Sequence, residues 1–305
     1  MDIQIRTDLA LETRESFEGT NVEIKGVVLE EEKRCDDSIK VTRVIIKNRE
    51  GAAAMRKPIG TYITLEAEKL RDDVSDSNLS GIALELSRYI RELLPVMQNG
   101  KILIAGLGNK DATPDSLGPE TIERIQVTRN FNEFYGENGW EISCIAPGVM
   151  AKTGMESMEI IKGIADQINP DVVIAIDALA ARNAKRLNTT IQLTDTGINP
   201  GSGVGNHRKG LTKETIGVPV VAIGIPTVVD VATIVRDIMD NLIEMFSIRD
   251  EYKELTDGEQ YQFIKEITSP EIRTLYVTPK DIDEDINVLG FILSEALNNI
   301  WKKTE

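Results

Sequence analysis

The chain has 305 residues, with 50 acidic and 35 basic side chains and a formal net charge of −15. This charge argues against a nucleic-acid backbone or an anionic membrane surface as the main partner. Apolar runs such as VVIAI and VPVVAIGI are far shorter than the roughly 18 residues that a membrane span needs. The first residues, MDIQIRTDLALE, lack the basic segment and apolar core of a signal peptide.

Cysteine and histidine are scarce. The two cysteines, Cys35 and Cys144, lie far apart, so we expect neither a disulfide framework nor a CxxC metal site. This cysteine usage favours a reducing, cytoplasmic location. The single histidine, His207, excludes a multi-histidine zinc site and leaves one candidate histidine base.

The first seventy residues predict β structure. The segments at 21–31 and 39–48 are expected to pair across the polar turn at 32–38. The segment TYITLEA (61–67) alternates apolar and polar residues and predicts a third strand. From 79 to 97 apolar residues recur at intervals of three and four, which predicts a helix.

From residue 101 onwards, apolar strands alternate with amphipathic helices. The predicted strands are 101–108, 141–148, 171–177, 190–195, 218–227 and 274–279, and the predicted helices are 119–130, 156–168, 229–246 and 284–301. This alternation predicts an α/β fold with a mostly parallel sheet and helices on both faces. We expect one α/β domain with a β-rich N-terminal extension, and a surface excursion at 247–273.

The first strand of this region leads into GLGNKDATPDSLGP (106–119), which resembles the start of a dinucleotide-binding glycine turn. The third glycine of that motif is missing, and no Lys-Ser/Thr pair follows to hold a nucleotide and magnesium. Asp111 and Asp115 would instead repel a phosphate. A nucleotide-binding α/β protein is therefore an alternative interpretation, but the sequence lacks the residues that usually bind the phosphates.

A second acidic residue, Asp177, follows the apolar run DVVIAI. Sites in open α/β sheets form beyond the carboxyl ends of the strands, so we expect Asp115 and Asp177 to face each other. Two carboxyl groups a few ångströms apart share one proton. One would then act as a base on water while the other polarises a carbonyl, which is chemistry that hydrolyses an amide without a metal.

Several alternatives remain open at these positions. Asp115 could cap the helix that follows, Asp177 could cap a helix starting at Ala178, and Asp111 is a rival for the acidic pair. His207 fits a local loop hydrogen bond as well as a general base. It lies within TDTGINPGSGVGNHRKG (194–210), whose five glycines, including Gly203 and Gly205, would let backbone N–H groups approach a substrate.

Together these segments resemble the germination protease family of spore-forming bacteria, endopeptidases that degrade small acid-soluble spore proteins. The matching stretches are RTDLALE (6–12), GLGNKDATPDSLGP (106–119), APGVMAKTGMES (146–157), DVVIAIDALAAR (171–182), TDTGINPGSGVGNHR (194–208) and GIPTVVD (224–230). The resemblance implies a fold related to the hydrogenase maturation endopeptidases and an atypical aspartic mechanism with Asp115 and Asp177 as the catalytic pair. It also implies no cofactor, a homotetramer, and a location in the spore core. A metal-dependent peptidase of the hydrogenase maturation type is the alternative on that scaffold.

The resemblance further implies a zymogen that removes its own N-terminal propeptide. Family substrates are cut after an acidic residue and before a large apolar residue followed by a small one, and Thr7-Asp8-Leu9-Ala10 has that form. We therefore predict cleavage between Asp8 and Leu9, with residues 1–8 as propeptide and 9–305 as the peptidase domain, of which 9–70 is the β-rich part. The acidic residue requires a cation, best a paired arginine fork. The candidates for substrate binding are Lys110, Arg182, Arg186, Arg208, Gly203 and Gly205.

Overall fold

The computed structural model of the protein describes residues 7–15, 17, 24–35, 38–67, 75–97, 99–131, 139–201, 208–246, 271 and 275–301. Within these residues, nine strands form one mixed sheet with the order β1-β2-β3-β7-β8-β6-β4-β5, and β9 pairs with β8. The strands are β1 (Val27–Arg34), β2 (Ile39–Ile46), β3 (Gly60–Glu66), β4 (Lys101–Gly106), β5 (Glu141–Ile145), β6 (Val172–Ala181), β7 (Thr190–Thr194), β8 (Val220–Asp230) and β9 (Tyr276–Val277).

The described helices range from single turns to 20 residues. They are α1 (Ala10–Glu15), α2 (Arg49–Met55), α3 (Asp76–Leu93), α4 (Leu117–Ile122), α5 (Met150–Thr153), α6 (Ser157–Ile168), α7 (Lys213–Ile216), α8 (Val231–Phe246) and α9 (Ile282–Trp301). The described part of the chain contains no helix that is long and apolar enough to cross a membrane.

The β-rich N-terminal part is continuous with the rest of the sheet. β1 and β2 form the predicted antiparallel hairpin, in register from Val27 opposite Ile46 to Arg34 opposite Ile39. β3 pairs antiparallel with both β2 and β7, and β7 in turn pairs antiparallel with β8. Residues near the N-terminus are thereby brought beside the strands that carry the predicted site.

The strands β8, β6, β4 and β5 are parallel, β5 being at the edge of the sheet, and this part of the sheet has a hydrophobic core on each face. In β4, Ile102 and Ile104 join the core that includes residues of α3 and α9. Leu103 and Ala105 join the opposite core, with Ile161 of α6. This alternation follows from the two-residue period of a strand and confirms the predicted α/β class with helices on both faces.

The element boundaries differ from the predicted ones at the places that matter for the site. β6 continues four residues past Asp177, and β8 continues to Asp230. α4 ends at Ile122 rather than near residue 130. The backbone N–H of Thr128 instead donates to the carbonyl of Ile142, alongside β5. Of the predicted excursion at 247–273, only residue 271 lies within the described residues.

Candidate active site

Asp177 lies inside β6 with 4% of its surface exposed. It pairs with Gly224 of β8, and its Oδ1 accepts a hydrogen bond from the backbone N–H of Ala178 at 3.0 Å. Since the strand runs on to Ala181, the interpretation of Asp177 as the cap of a helix is wrong. The apolar residues around it are buried on both faces of the sheet, so its carboxyl group is enclosed where the strand approaches the edge of the core.

Asp115 is brought towards Asp177 by the loop that follows β4. The N–H of Leu107 donates to the carbonyl of Ile176 at 2.8 Å, so the loop starts alongside β6. A 3-10 turn at Thr113–Asp115 then brings Asp115 back to the first part of the same loop. The N–H of Asn109 donates to the Asp115 carboxylate at 2.8 Å and to its carbonyl at 3.0 Å. α4 begins after Asp115, with Ser116 at the cap position, so the helix-cap interpretation of Asp115 is also wrong.

The glycines of this loop allow close backbone packing. Gly108 has a φ of +109°, and a Cβ there would come within 2.0 Å of the Asp115 carbonyl oxygen. A Cβ on Gly106 would come within 2.3 Å of the carbonyl oxygen of Gly118 at the start of α4. The glycine turn therefore seats the Asp115 segment against β4, which accounts for the motif without a phosphate.

Asp115 and Asp177 line the same cavity of about 410 Å³. Burial raises the pKa of Asp177 well above its ordinary value, and the charges of Asp115 and Asp8 raise it further. Burial also raises the pKa of Asp115, against the hydrogen bond from Asn109. Two such carboxyl groups hold a shared proton more readily than isolated ones.

One of the predicted cations, Arg208, lines this cavity, and its charge opposes the rise in pKa of both Asp115 and Asp177. Lys110 and Asp111 are not among the residues that line this cavity. Lys110 is exposed and paired with Glu123, and Asp111 is exposed and paired with Lys152. Gly203, Gly205 and His207 lie outside the described residues.

The predicted cleavage segment enters the same cavity. Asp8 is among its lining residues, and its backbone N–H donates to the carbonyl of Ala180 at 3.2 Å. The next residue, Leu9, is fully buried and packs in a cluster with Leu179, Ala181, Leu187 and Val229. Asp8 and Leu9 thus lie beside the acidic pair, along the part of β6 that follows Asp177.

Two polar residues hold the carbonyl oxygen of Asp8. Lys57 Nζ donates to it at 2.9 Å, and Gln192 Nε2 donates to it at 3.2 Å. The other end of the Gln192 amide accepts from the N–H of Ala10 at 2.6 Å. We did not predict either residue from the sequence. The sequence of β7, TIQLT, alternates polar and apolar residues and so gives no sign that Gln192 is special, whereas the structure buries all five residues.

Arg182 and Arg186 both contact Glu12. Glu12 is 3% exposed, and its carboxylate accepts from the backbone N–H groups of Arg182 at 2.8 Å and Asn183 at 3.0 Å. The Arg186 guanidinium lies 3.4 Å from Glu12 and also pairs with Glu15 and Glu66. Burial opposes the charged form of Arg186, but the hydrogen bond to Glu15 and the surrounding carboxylates raise its pKa.

No group of three or more His, Cys, Asp or Glu side chains in the described ranges has an arrangement that could hold a metal ion. The acidic pair, the cavity that it lines and the peptide segment beside it can support acid-base hydrolysis of an amide. Two side chains and several backbone groups fix the position of that segment.

The comparisons with known proteins point to one family. A family model described as germination protease matches residues 4–254. The germination protease of Caldanaerobacter subterraneus subsp. tengcongensis is 44% identical over 306 residues, which cover 96% of this chain and 93% of that protein. The germination protease of Bacillus subtilis is 40% identical, covering 96% of this chain and 92% of that protein.

A solved structure, the [NiFe] hydrogenase maturation protease HycI from Thermococcus kodakarensis KOD1, is similar at 17% identity with a TM-score of 0.34. The likeness covers 68% of this chain and 98% of that one. The family match over most of the sequence, together with relatives of 40% identity or more over nearly its full length, shows that this chain belongs to the germination protease family.

Proposed function

We propose that the protein is a self-processing endopeptidase that starts the degradation of small acid-soluble spore proteins during germination. It cuts after an acidic residue, using Asp115 and Asp177 as a pair that shares one proton. The observation that carries this proposal is the position of Asp8, which lines the cavity formed by the two aspartates. Membership of the germination protease family supports the substrate class.

In this mechanism the ionised member of the pair takes a proton from a water molecule. The water oxygen bonds to the carbonyl carbon of the acidic residue, while the protonated member polarises the carbonyl. The carbon–nitrogen bond then breaks, and the departing nitrogen receives a proton from the pair. The raised pKa values of Asp115 and Asp177 favour the singly protonated state that this sequence needs.

The proposal includes a zymogen. Residues 1–8 form the propeptide, and cleavage between Asp8 and Leu9 leaves a chain that begins at Leu9. Asp8 takes the place of the acidic residue of a substrate, and Arg208, which lines the same cavity, supplies the positive charge near it. Leu9 supplies the large apolar residue, and the fully buried Ala10 supplies the small one.

The direct test follows the mass of the purified protein over time. We expect the wild-type chain to lose residues 1–8, and Asp115→Asn and Asp177→Asn to keep them. Asp111→Asn is the matched control, because Asp111 belongs to the same loop but is exposed and paired with Lys152. Processing of both pair variants at the wild-type rate would contradict the proposed mechanism.

A chelator gives an independent arm of the same experiment. An aspartate pair works without a metal, so processing should proceed at an unchanged rate in EDTA. Loss of processing in EDTA, with recovery on adding a divalent metal, would replace the proposed mechanism by a metal-dependent one.

A further inference from the structure

We infer that Lys57 and Gln192 form the oxyanion site for cleavage of the bond between Asp8 and Leu9. Both side chains converge on one atom, the carbonyl oxygen of Asp8. The inference deepens the proposed function and rests on it, because it concerns the same bond.

The first argument is geometric. Lys57 follows α2, and Gln192 lies on β7, so the two donors come from separate elements. Their nitrogen atoms lie 2.9 and 3.2 Å from the Asp8 oxygen. In amide hydrolysis this oxygen gains negative charge as the carbon becomes tetrahedral. Donors already aimed at it stabilise the transition state more than the substrate.

The second argument concerns how the two donors are held. The Gln192 amide has a fixed orientation, because its oxygen accepts from the N–H of Ala10 while its nitrogen faces Asp8. Lys57 follows Arg56, whose left-handed backbone conformation, with φ of +50°, ends α2. The donors therefore need little rearrangement during the reaction, which is the property that makes such groups effective.

The third argument concerns charge. Burial lowers the pKa of Lys57, while the nearby charges of Asp8 and Glu12 favour its ammonium form. A cation that is partly removed from water interacts strongly with a developing negative charge, because the solvent screens it less. When protonated, Lys57, which already donates to the Asp8 carbonyl, would therefore stabilise negative charge that develops on that oxygen.

The fourth argument is the arrangement of the two cavities. The cavity of the aspartate pair measures about 410 Å³, and a second cavity of about 310 Å³ is lined by Lys57 and Gln192. Asp8 lines both. Water activated in the first cavity can approach the Asp8 carbon while the oxygen stays with its donors at the second.

This arrangement refines the roles in the reaction. The water oxygen forms a bond to the Asp8 carbon, its proton goes to the ionised aspartate, and the carbonyl electrons move onto the oxygen held by Lys57 and Gln192. When the carbonyl re-forms, the bond to the Leu9 nitrogen breaks. The protonated aspartate is then available to give its proton to that nitrogen rather than to polarise the carbonyl.

The test measures the rate constant of leader removal in the full chain by mass spectrometry. Lys57→Met removes the ammonium but keeps the length of the side chain, and we expect a loss of about 10²–10³-fold. Gln192→Glu keeps the oxygen that accepts from Ala10 but puts a carboxylate oxygen in place of the donating nitrogen, and we expect a loss at least as large because this charge repels the oxyanion. Lys47→Met is the matched control, because Lys47 is exposed and lines neither cavity.

Hydrogen exchange at Asp8 and Ala10 separates catalysis from simple anchoring. Their N–H groups donate to Ala180 and Gln192, so an oxyanion role predicts unchanged protection in Lys57→Met despite slow processing. Loss of protection that parallels the loss of rate would overturn the inference in favour of anchoring. Processing of Lys57→Met at the wild-type rate would also overturn it.

Asp177→Asn, run in parallel, separates this inference from the proposed function. If Asp177→Asn is blocked while Lys57→Met is normal, the oxyanion role fails and the aspartate mechanism stands. If the wild-type chain never loses its leader, or Asp177→Asn loses it normally, the proposed function is the part that fails.

Discussion

Asp8 and Ala180 are joined by two hydrogen bonds that run in opposite directions. The Asp8 N–H donates to the Ala180 carbonyl at 3.2 Å, and the Asp8 carboxylate accepts from the Ala180 N–H at 3.0 Å. The Asp8 carboxylate thus accepts the hydrogen bond from β6 that the backbone carbonyl of a neighbouring strand would otherwise accept. Its charge also raises the pKa of Asp177. The residue before the predicted cleavage site is therefore linked to Asp177 by charge and to the strand that carries Asp177 by hydrogen bonds.

This coupling predicts the effect of Asp8→Asn. The change removes the Asp8 charge that raises the pKa of Asp177, so the pair should lose its shared proton at a lower pH. The alkaline decline in the rate of leader removal should move to lower pH. Asp8→Asn also removes the acidic residue of the cleavage site and should lower the rate at every pH, so the measurement is the shape of the rate profile across a pH series. Asp111→Asn is the exposed control, whose profile should match wild type. An unchanged profile in Asp8→Asn would show that the Asp8 charge does not reach the pair.

The wild-type pH profile is a second prediction. Burial raises the pKa of both Asp115 and Asp177, so the singly protonated pair is populated in mildly acidic buffer and is lost as the pH rises. Leader removal should therefore be faster in mildly acidic than in alkaline buffer. Timed mass spectrometry at constant ionic strength measures this. A rate that climbs steadily towards pH 9 contradicts a shared proton.

The buried Asp177 also predicts a pH-dependent stability difference. Its folded pKa lies above the value of about 3.9 that an unfolded aspartate has. Between these two pKa values the folded state binds more protons than the unfolded state. The stability that protonated Asp177 contributes is therefore fully present below the unfolded pKa and is lost as the pH rises through the folded pKa. Asp177→Asn cannot ionise, so it should gain stability relative to wild type as the pH rises above about 4. Urea unfolding at several pH values measures the difference, and a constant difference would contradict the assignment.

Gly108→Ala should disturb the position of Asp115. At the φ of +109° an alanine is strained, and its Cβ would overlap the Asp115 carbonyl oxygen. The backbone conformation alone costs about 1–3 kcal/mol. Gly154→Ala is the control, because Gly154 also has a positive φ but no atom within 4 Å of the added Cβ. Both variants should lower the free energy of unfolding, but Gly108→Ala alone should slow processing. Equal processing rates would show that the contact does not position Asp115.

Glu12→Gln should loosen the cleavage segment. The change weakens the charged acceptor for the N–H groups of Arg182 and Asn183, which we expect to cost about 1–3 kcal/mol in the free energy of unfolding. Glu15→Gln is the control, because Glu15 shares Arg186 but is far more exposed than Glu12. Processing should slow in Glu12→Gln and stay near wild type in Glu15→Gln. The reverse order would show that the Glu15 pair holds the segment instead.

Much of the fold could be predicted from local sequence patterns. In the α/β region from residue 101 onwards, the spacing of apolar residues indicates which side of each strand or helix faces the core. The end of β6 was misplaced because the sequence after Asp177, ALAA, has no polar alternation to mark a strand. Asp111 and Asp115 are equivalent by spacing, and the backbone path of their loop determines which one enters the cavity. Lys57 and Gln192 meet at Asp8 through the pairing of β3 with β7, a long-range contact that no local motif records.

The burial of Leu9, Ala10 and Glu12 has a consequence for the processed enzyme. Leu9 and Ala10 belong to two separate hydrophobic clusters, and Glu12 is held by backbone N–H groups. None of these contacts depends on the bond between Asp8 and Leu9. In the proposed cut, these contacts would therefore hold the new amino terminus at Leu9 in the position that it has before the cut. A substrate polypeptide could occupy that position only after the new amino terminus moves out, so the proposed activation would include a conformational step after the cut.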